Sequence, residues 1–191
     1  VGIVATNHAG LVGIGAELGF ELEAELRAAV RAKSLTLLYQ PIVELATGRV
    51  TGFEALLRWP HPTRGLLGPQ DFIDLSEESG QIVAIGAWVV REACRQAREW
   101  QLERPDGQKL RVSVNTSARE VVEPTFARGI EEALAESGLP PGCLTLEITE
   151  SMLLADAKTA IASLRRLRRR GVHIVIDDFG TGYSALSYLN Q

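Results

Sequence analysis

A chain of 191 residues, 46% of them hydrophobic, is long enough to bury a core as a single domain. Its formal charge of −4 and pI near 5.5 exclude the basic footprint of a duplex-nucleic-acid binder, whose domain pI would exceed about 9. No apolar run approaches the roughly 18 to 20 residues of a bilayer span, so this segment is not expected to insert in a membrane. Cys94 and Cys143 stand far apart in no CxxC pattern and read as small packed hydrophobes in a reducing, cytoplasmic setting.

In chain order, residues 1–19 fit nothing that follows and read as a leader or the remnant of an upstream region. From Phe20, "FELEAELRAAVRAK" places Leu22, Leu26 and Val30 at helical spacing. "LTLLYQPIV" and "RVTGFEALLRW" are predicted strands, joined through "ELATG" too tightly for a crossover and hence antiparallel. "PHPTRGLLGP" is expected as loop. "DFIDLSEESG" is a short helix ended by Gly80, and "QIVAIGAWVVREACRQAREW" a long one. "RVSVN" is a strand, and "PTFARGIEEALAESG" a helix closed by Gly138, where a left-handed residue is needed. "LTLEITE" is a strand, "DAKTAIASLRRLRRRG" a helix ended by Gly171, and "VHIVIDD" a strand. From Leu66 onward helix and strand alternate, which predicts a parallel sheet with crossover helices. The expected class is α/β, an open sheet or a barrel with an irregular start.

Side chains alternate along a strand, so each strand divides into two faces. Arg111, Ser113 and Asn115 share one face of "RVSVN"; Thr145, Glu147 and Thr149 share one of "LTLEITE"; Glu54, Leu56 and Arg58 fall together, and Gln40 lies with Leu38 and Ile42. A polar inner face suits a barrel whose site lies at the C-terminal strand ends, where Asn115, Glu147 and Asp177 sit. Asp177 and Asp178 are adjacent at the end of an apolar strand and repel unless a cation accompanies them. Glu54, Asn115, Glu147, Asp177 and Asp178 together form an all-oxygen donor set suited to a hard cation such as Mg2+ or Mn2+. Two such ions would also suit in-line phosphoryl displacement.

Plainer readings stand beside these. Glu54 is either a ligand or a strand carboxylate paired with Arg58, and Asn115 is either a ligand or a helix cap. Gly180 and Gly182 make a tight turn that lacks the lysine of a phosphate-binding loop. Arg165, Arg166, Arg168, Arg169 and Arg170 read as a solvated helix face complementing the C-terminal dipole. His8, His61 and His173 show no zinc-ligand spacing.

"EALLRW" at 54–59, "NTSA" at 115–118, "EITES" at 147–151 and "DDFGTGYSALSYL" at 177–189 resemble the EAL-domain phosphodiesterases, which hydrolyse cyclic di-GMP. "YQPI", "FI…EESG" and "WVVREAC" fall in the family's order, and the resemblance covers Phe20 to the end. It implies a modified (β/α)8 TIM-like barrel with one antiparallel strand. It also implies that Glu54, Asn115, Glu147 and Asp177 ligate one Mg2+ or Mn2+ ion, with Asp177 and Asp178 sharing a second. Catalysis would rest on Glu54, Asp177 and Asp178. Gln40 and Arg58 would contact the dinucleotide, with Leu56 in its floor, and Glu150 would steady the "DFGTGYS" loop, which is linked to homodimer contacts. The implied product is linear pGpG.

The family continues past the position of Gln191 with a lysine motif, later glutamates and further strands and helices. The 20–191 segment is therefore expected to be a C-terminally incomplete domain of a longer protein, with room upstream for a sensor or cyclase-like domain. The competing expectation is an inactive domain that serves as a cyclic di-GMP receptor or interaction module. A glycosidase is the third, disfavoured because two separated carboxylates would suffice for that chemistry.

Overall fold

One apolar face decides where the first helix docks: Leu26 and Ala29 are buried, with Leu22 and Val30 packed beside them. The computed structural model describes residues 8–104, 109–149 and 157–177. Helix α1 spans His8–Arg31 and so begins upstream of Phe20, where the apolar periodicity starts. Once its buried turns are anchored, extending a helix adds one hydrogen bond per residue without a new nucleation cost.

Strands β1 (Thr36–Glu44) and β2 (Arg49–His61) pair antiparallel, with Leu38 opposite Leu56 and Gln40 opposite Glu54. The stretch expected as loop after Trp59 is instead partly strand. β2 runs on to His61, and a short β3 (Gly65–Leu67) folds back on it. The reason is local: the His61 ring is buried, and its Nδ1 accepts from the backbone N–H groups of Thr63 and Arg64, each at 3.3 Å. Gly65, at φ 77°, supplies the left-handed residue that this turn requires. On the other side, His61 Nε2 meets Glu25 Oε2 of α1 at 3.0 Å, tying that helix to the hairpin.

A 3-10 turn (Pro69–Asp71), α2 (Ile73–Glu78) and α3 (Ile82–Glu103) lead to β4 (Arg111–Asn115). A short α4 (Ala118–Val121), α5 (Phe126–Ser137), a 3-10 turn (Pro141–Cys143) and β5 (Leu144–Thr149) follow. Helix α6 (Ala157–Arg169) and β6 (His173–Asp177) end the described chain. The sheet order is β1-β2-β4-β5-β6, with β3 beside β2, and every pairing from β2 to β6 along that path is parallel. The alternation read from Leu66 onward thus becomes a parallel sheet with crossover helices, and β1 supplies the antiparallel member.

The helices cover one face of the sheet. Leu37, Ala55, Leu57, Val112, Val114, Leu144 and Leu146 join Ile85, Val89, Ala93 and Cys94 of α3 and Ile130 and Leu134 of α5 in one core cluster. Burial pushes the Cys94 thiol up to about 12, which makes it an inert packing group. The opposite face is open, and apolar Leu38, Ile42 and Val175 are exposed there. The arginines of α6 are more than a solvated face. Arg166 donates to both carboxylate oxygens of Glu131 on α5, at 3.0 and 2.6 Å, and Arg170 reaches the same carboxylate at 3.6 Å.

Candidate functional site

The open face is the polar one. Parallel register puts Ser113 level with Glu54 and Thr145, Asn115 level with Glu147, and Thr149 level with Asp177. Strand alternation then directs Gln40, Glu54, Leu56, Arg58, Asn115, Glu147 and Asp177 to a common side. Asn115, Glu147 and Asp177 stand at or near the C-terminal ends of β4, β5 and β6. Asp178, Glu150 and the "DFGTGYS" loop lie outside the described residues.

Glu54 and Asn115 are joined directly: Asn115 Nδ2 donates to Glu54 Oε1 at 2.8 Å. With its amide nitrogen used in this way, the Asn115 side-chain oxygen is the atom left to serve as a ligand. The partners named in two of the plainer readings are engaged elsewhere. The cap of α4 is Ser117 rather than Asn115, and the Arg58 guanidinium turns to the Leu57 carbonyl at 2.7 Å. Glu147 is held above the ordinary carboxylate range, first by burial and then by the charges of Glu54 and Asp177, while a hydrogen bond from Ser113 pulls the other way. Two neighbouring carboxylates thus add negative charge around Glu147, and the Ser113 hydroxyl works against their effect.

Among the described residues no three His, Cys, Asp or Glu side chains form a ready-made group able to hold a metal ion. The donor chemistry nevertheless fits a hard divalent cation. Glu54 and Asp177 both act electrostatically on Glu147, and the Asn115 amide that bonds Glu54 also carries an oxygen. These four residues could hold such an ion, whose charge would relieve their mutual repulsion.

A cavity of about 480 Å³ opens beside this cluster, lined by Leu56, Ile73, Glu77, Asn115, Thr116 and Glu147 among others. Sequence reading passed over Ser113 as a partner of Glu147, and it passed over Glu120. The latter had a signal: Ser117 and Glu120 in "SARE" have the spacing of a reciprocal capping box, and the structure forms one. No membrane-spanning candidate exists among the described helices; none is long and apolar enough.

Comparison with known proteins is consistent across sequence and structure. The family model described as "EAL domain" matches residues 23–191. An uncharacterized signaling protein of Caulobacter vibrioides is 47% identical over 170 residues, covering 89% of this chain and 20% of that protein. The cyclic di-GMP phosphodiesterase NbdA of Pseudomonas aeruginosa is 46% identical over 171 residues, covering 90% of this chain and 22% of its own length. Among solved structures, the PaMucR phosphodiesterase in complex with c-di-GMP aligns with a TM-score of 0.82 at 43% identity, over 88% of this chain and 68% of that one. The EAL enzyme Bd1971, bound to cAMP and cyclic di-GMP, aligns with a TM-score of 0.85 at 36% identity, over 93% of this chain and 48% of that one. The chain therefore spans about a fifth of the length of these two curated relatives.

Proposed function

The chain belongs to the EAL domain family, with its TIM-barrel-like α/β fold, and from that premise we propose that its parent protein is a cytoplasmic, divalent-metal-dependent phosphodiesterase that opens cyclic di-GMP to linear pGpG. The observation that carries the reading is the bonded Glu54–Asn115 pair facing Glu147 and Asp177 at the ends of parallel strands.

In this reading Glu54, Asn115, Glu147 and Asp177 hold one Mg2+ or Mn2+ ion, and Asp177 with Asp178 shares a second. When bound, the ions supply Lewis acidity toward the phosphodiester oxygens. The chain's own residues do the rest of the positioning. Asn115 fixes the orientation of Glu54 through its 2.8 Å bond, and Ser113 does the same for Glu147. Gln40 lies directly across the hairpin from Glu54, placing an amide where it can read a polar edge of the dinucleotide. Leu56 lines the neighbouring cavity and offers an apolar floor. Arg58 lies two residues further along the same face and can turn its remaining guanidinium donors to a phosphate. Glu150 would steady the loop after Asp178, through which a homodimer would form. An upstream sensor or cyclase-like domain would set when the site acts.

The test is chromatographic detection of pGpG from the full-length protein incubated with cyclic di-GMP and Mn2+. The expected result is product from the wild type and none from Glu54→Ala or Asp177→Ala. Unchanged turnover in either variant would overturn the assignment. A second reading, a receptor without turnover, takes its support from the likeness to the PaMucR and Bd1971 structures, each of which holds cyclic di-GMP. Tight nucleotide binding by the wild type in a chelator, together with no pGpG when Mn2+ is supplied, would decide for it.

A further inference from the structure

The loop that follows Asn115 is held by a buried carboxylate that the reaction itself does not use. Glu120 is 6% exposed, and its Oε2 accepts from the Ser117 backbone N–H at 2.8 Å. Ser117 Oγ in turn accepts from the Glu120 N–H at 3.3 Å. One residue earlier, the Thr116 N–H donates to the Glu147 carbonyl at 2.9 Å. The loop after Asn115 is thus pinned twice, once to β5 and once to Glu120. The Thr116 hydroxyl makes no hydrogen bond among the described residues, so the Thr116 N–H and the Glu120 carboxylate do the holding.

Glu120 reaches this position because α3 makes room for it. A Cβ on Gly86 would lie 1.6 Å from Glu120 Oε1 and 2.5 Å from its Cδ. A glycine inside a long helix costs helix stability relative to alanine, so a compensating reason is expected, and the seated carboxylate supplies it. The capped helix α4 has only four residues. So short a helix gains little from its cap, and the consequence of the contact falls on the loop. Gly86 and Glu120 also line both the 480 Å³ cavity beside the site and a groove of about 160 Å³ between α3 and α5, so the pair forms the partition between them.

We propose that Glu120, seated over Gly86, is a positioning residue: it holds Ser117 and thereby fixes Asn115 in the geometry that joins Glu54 and faces Glu147. The proposal rests on the reading of Asn115, Glu54 and Glu147 as metal-holding residues. Side chains that orient ligands without touching the ion typically change metal affinity by 10–100-fold when removed, which sets the expected size of the effect.

The test uses the full-length protein, with Mn2+ binding by calorimetry and hydrogen exchange of residues 112–122 in metal-free protein. Glu120→Ala is expected to weaken Mn2+ binding about tenfold and to raise exchange at Thr116 and Ser117. Glu120→Gln keeps the acceptor for the Ser117 N–H and is expected to restore both readouts. Gly86→Ala displaces the carboxylate without touching the loop and is expected to reproduce the Glu120→Ala loss, which keeps the test alive if Glu120→Ala does not fold. Wild-type affinity in Glu120→Ala or Gly86→Ala, or a loss in Glu120→Gln equal to that of alanine, would overturn the proposal. Mn2+ binding without turnover in the wild type would sink the enzyme reading alone, leaving the binding ratios to decide this one. Should the wild type bind no Mn2+, the proposal falls together with the metal-holding reading on which it rests.

Discussion

Stability of this domain should fall as pH rises from about 4.5 to about 7, and Glu120 is the cause. Burial raises its carboxyl from the ordinary 4.5 to about 7, against the lowering effect of its bonds from Ser117 and with a small further rise from Glu77 of α2. Other charged groups line the neighbouring groove: Arg91 on α3, Glu123 before α5, and Arg128 and Glu132 on α5. Arg119, the adjoining residue, is engaged with the carbonyls of Glu77 and Glu78. In the native chain Glu120 stays protonated up to its raised pKa, whereas in the unfolded chain it ionises near 4.5. The native state therefore binds more protons throughout that window, and linkage requires stability to decline as pH rises through it. At about 1.4 kcal/mol per pH unit, the full loss is about 3 kcal/mol, complete somewhat above pH 7. Urea unfolding followed by Trp59, Trp88 and Trp100 fluorescence, at intervals from pH 4.5 to 8, measures it. The same series on Glu120→Gln removes this titration and leaves every other group in place. The gap between variant and wild type should shift by about 3 kcal/mol in favour of the variant across the range. Two stability profiles that run parallel would refute the reasoning.

Gly52 faces the Arg111 carbonyl across the β2–β4 pairing, and a Cβ there would lie 2.6 Å from that backbone oxygen. Gly52→Ala should therefore cost about 1–3 kcal/mol in urea unfolding, because backbone rather than a flexible side chain must yield. His61→Phe preserves bulk beside Trp59 but leaves the Thr63 and Arg64 N–H groups without their acceptor, a loss of about 1–3 kcal/mol by the same measurement. Leu146 is fully buried on β5, so Leu146→Ala should cost about 2–5 kcal/mol, visible as a lowered thermal midpoint. Asn115→Ala removes both the amide oxygen and the bond to Glu54. Calorimetry of the full-length protein should show Mn2+ binding weakened tenfold or more, with the unfolding midpoint little changed because Asn115 is exposed.

Much of the architecture is legible without coordinates. Leu26, Val112, Leu144 and Leu167 lie fully buried where periodicity of 3.6 or 2 placed apolar residues, because burying those faces is what stabilises the elements. Gly138 and Gly171, at φ 71° and 98°, close helices as their positions foretold, since only glycine enters that region without a Cβ clash. The polar face holding Glu54, Asn115 and Glu147 was also readable, as alternation along each strand is strict. Local signals ran out elsewhere. The β2–β3 hairpin escaped notice because its proline- and glycine-rich stretch reads as loop until a buried histidine gathers its backbone. Arg166 read as solvated until α5 brought Glu131 against it.

The sequence by itself determined which residues share a strand face and which residues end each helix, because both follow from spacing along a single element. Only tertiary structure decided that Asn115 bonds Glu54, a residue 61 positions away in the chain, that Glu54 and Asp177 together act on Glu147, and that a glycine in α3 seats Glu120. Those contacts join different elements, and strand register and helix packing bring them together, neither of which is encoded in any local stretch of the chain.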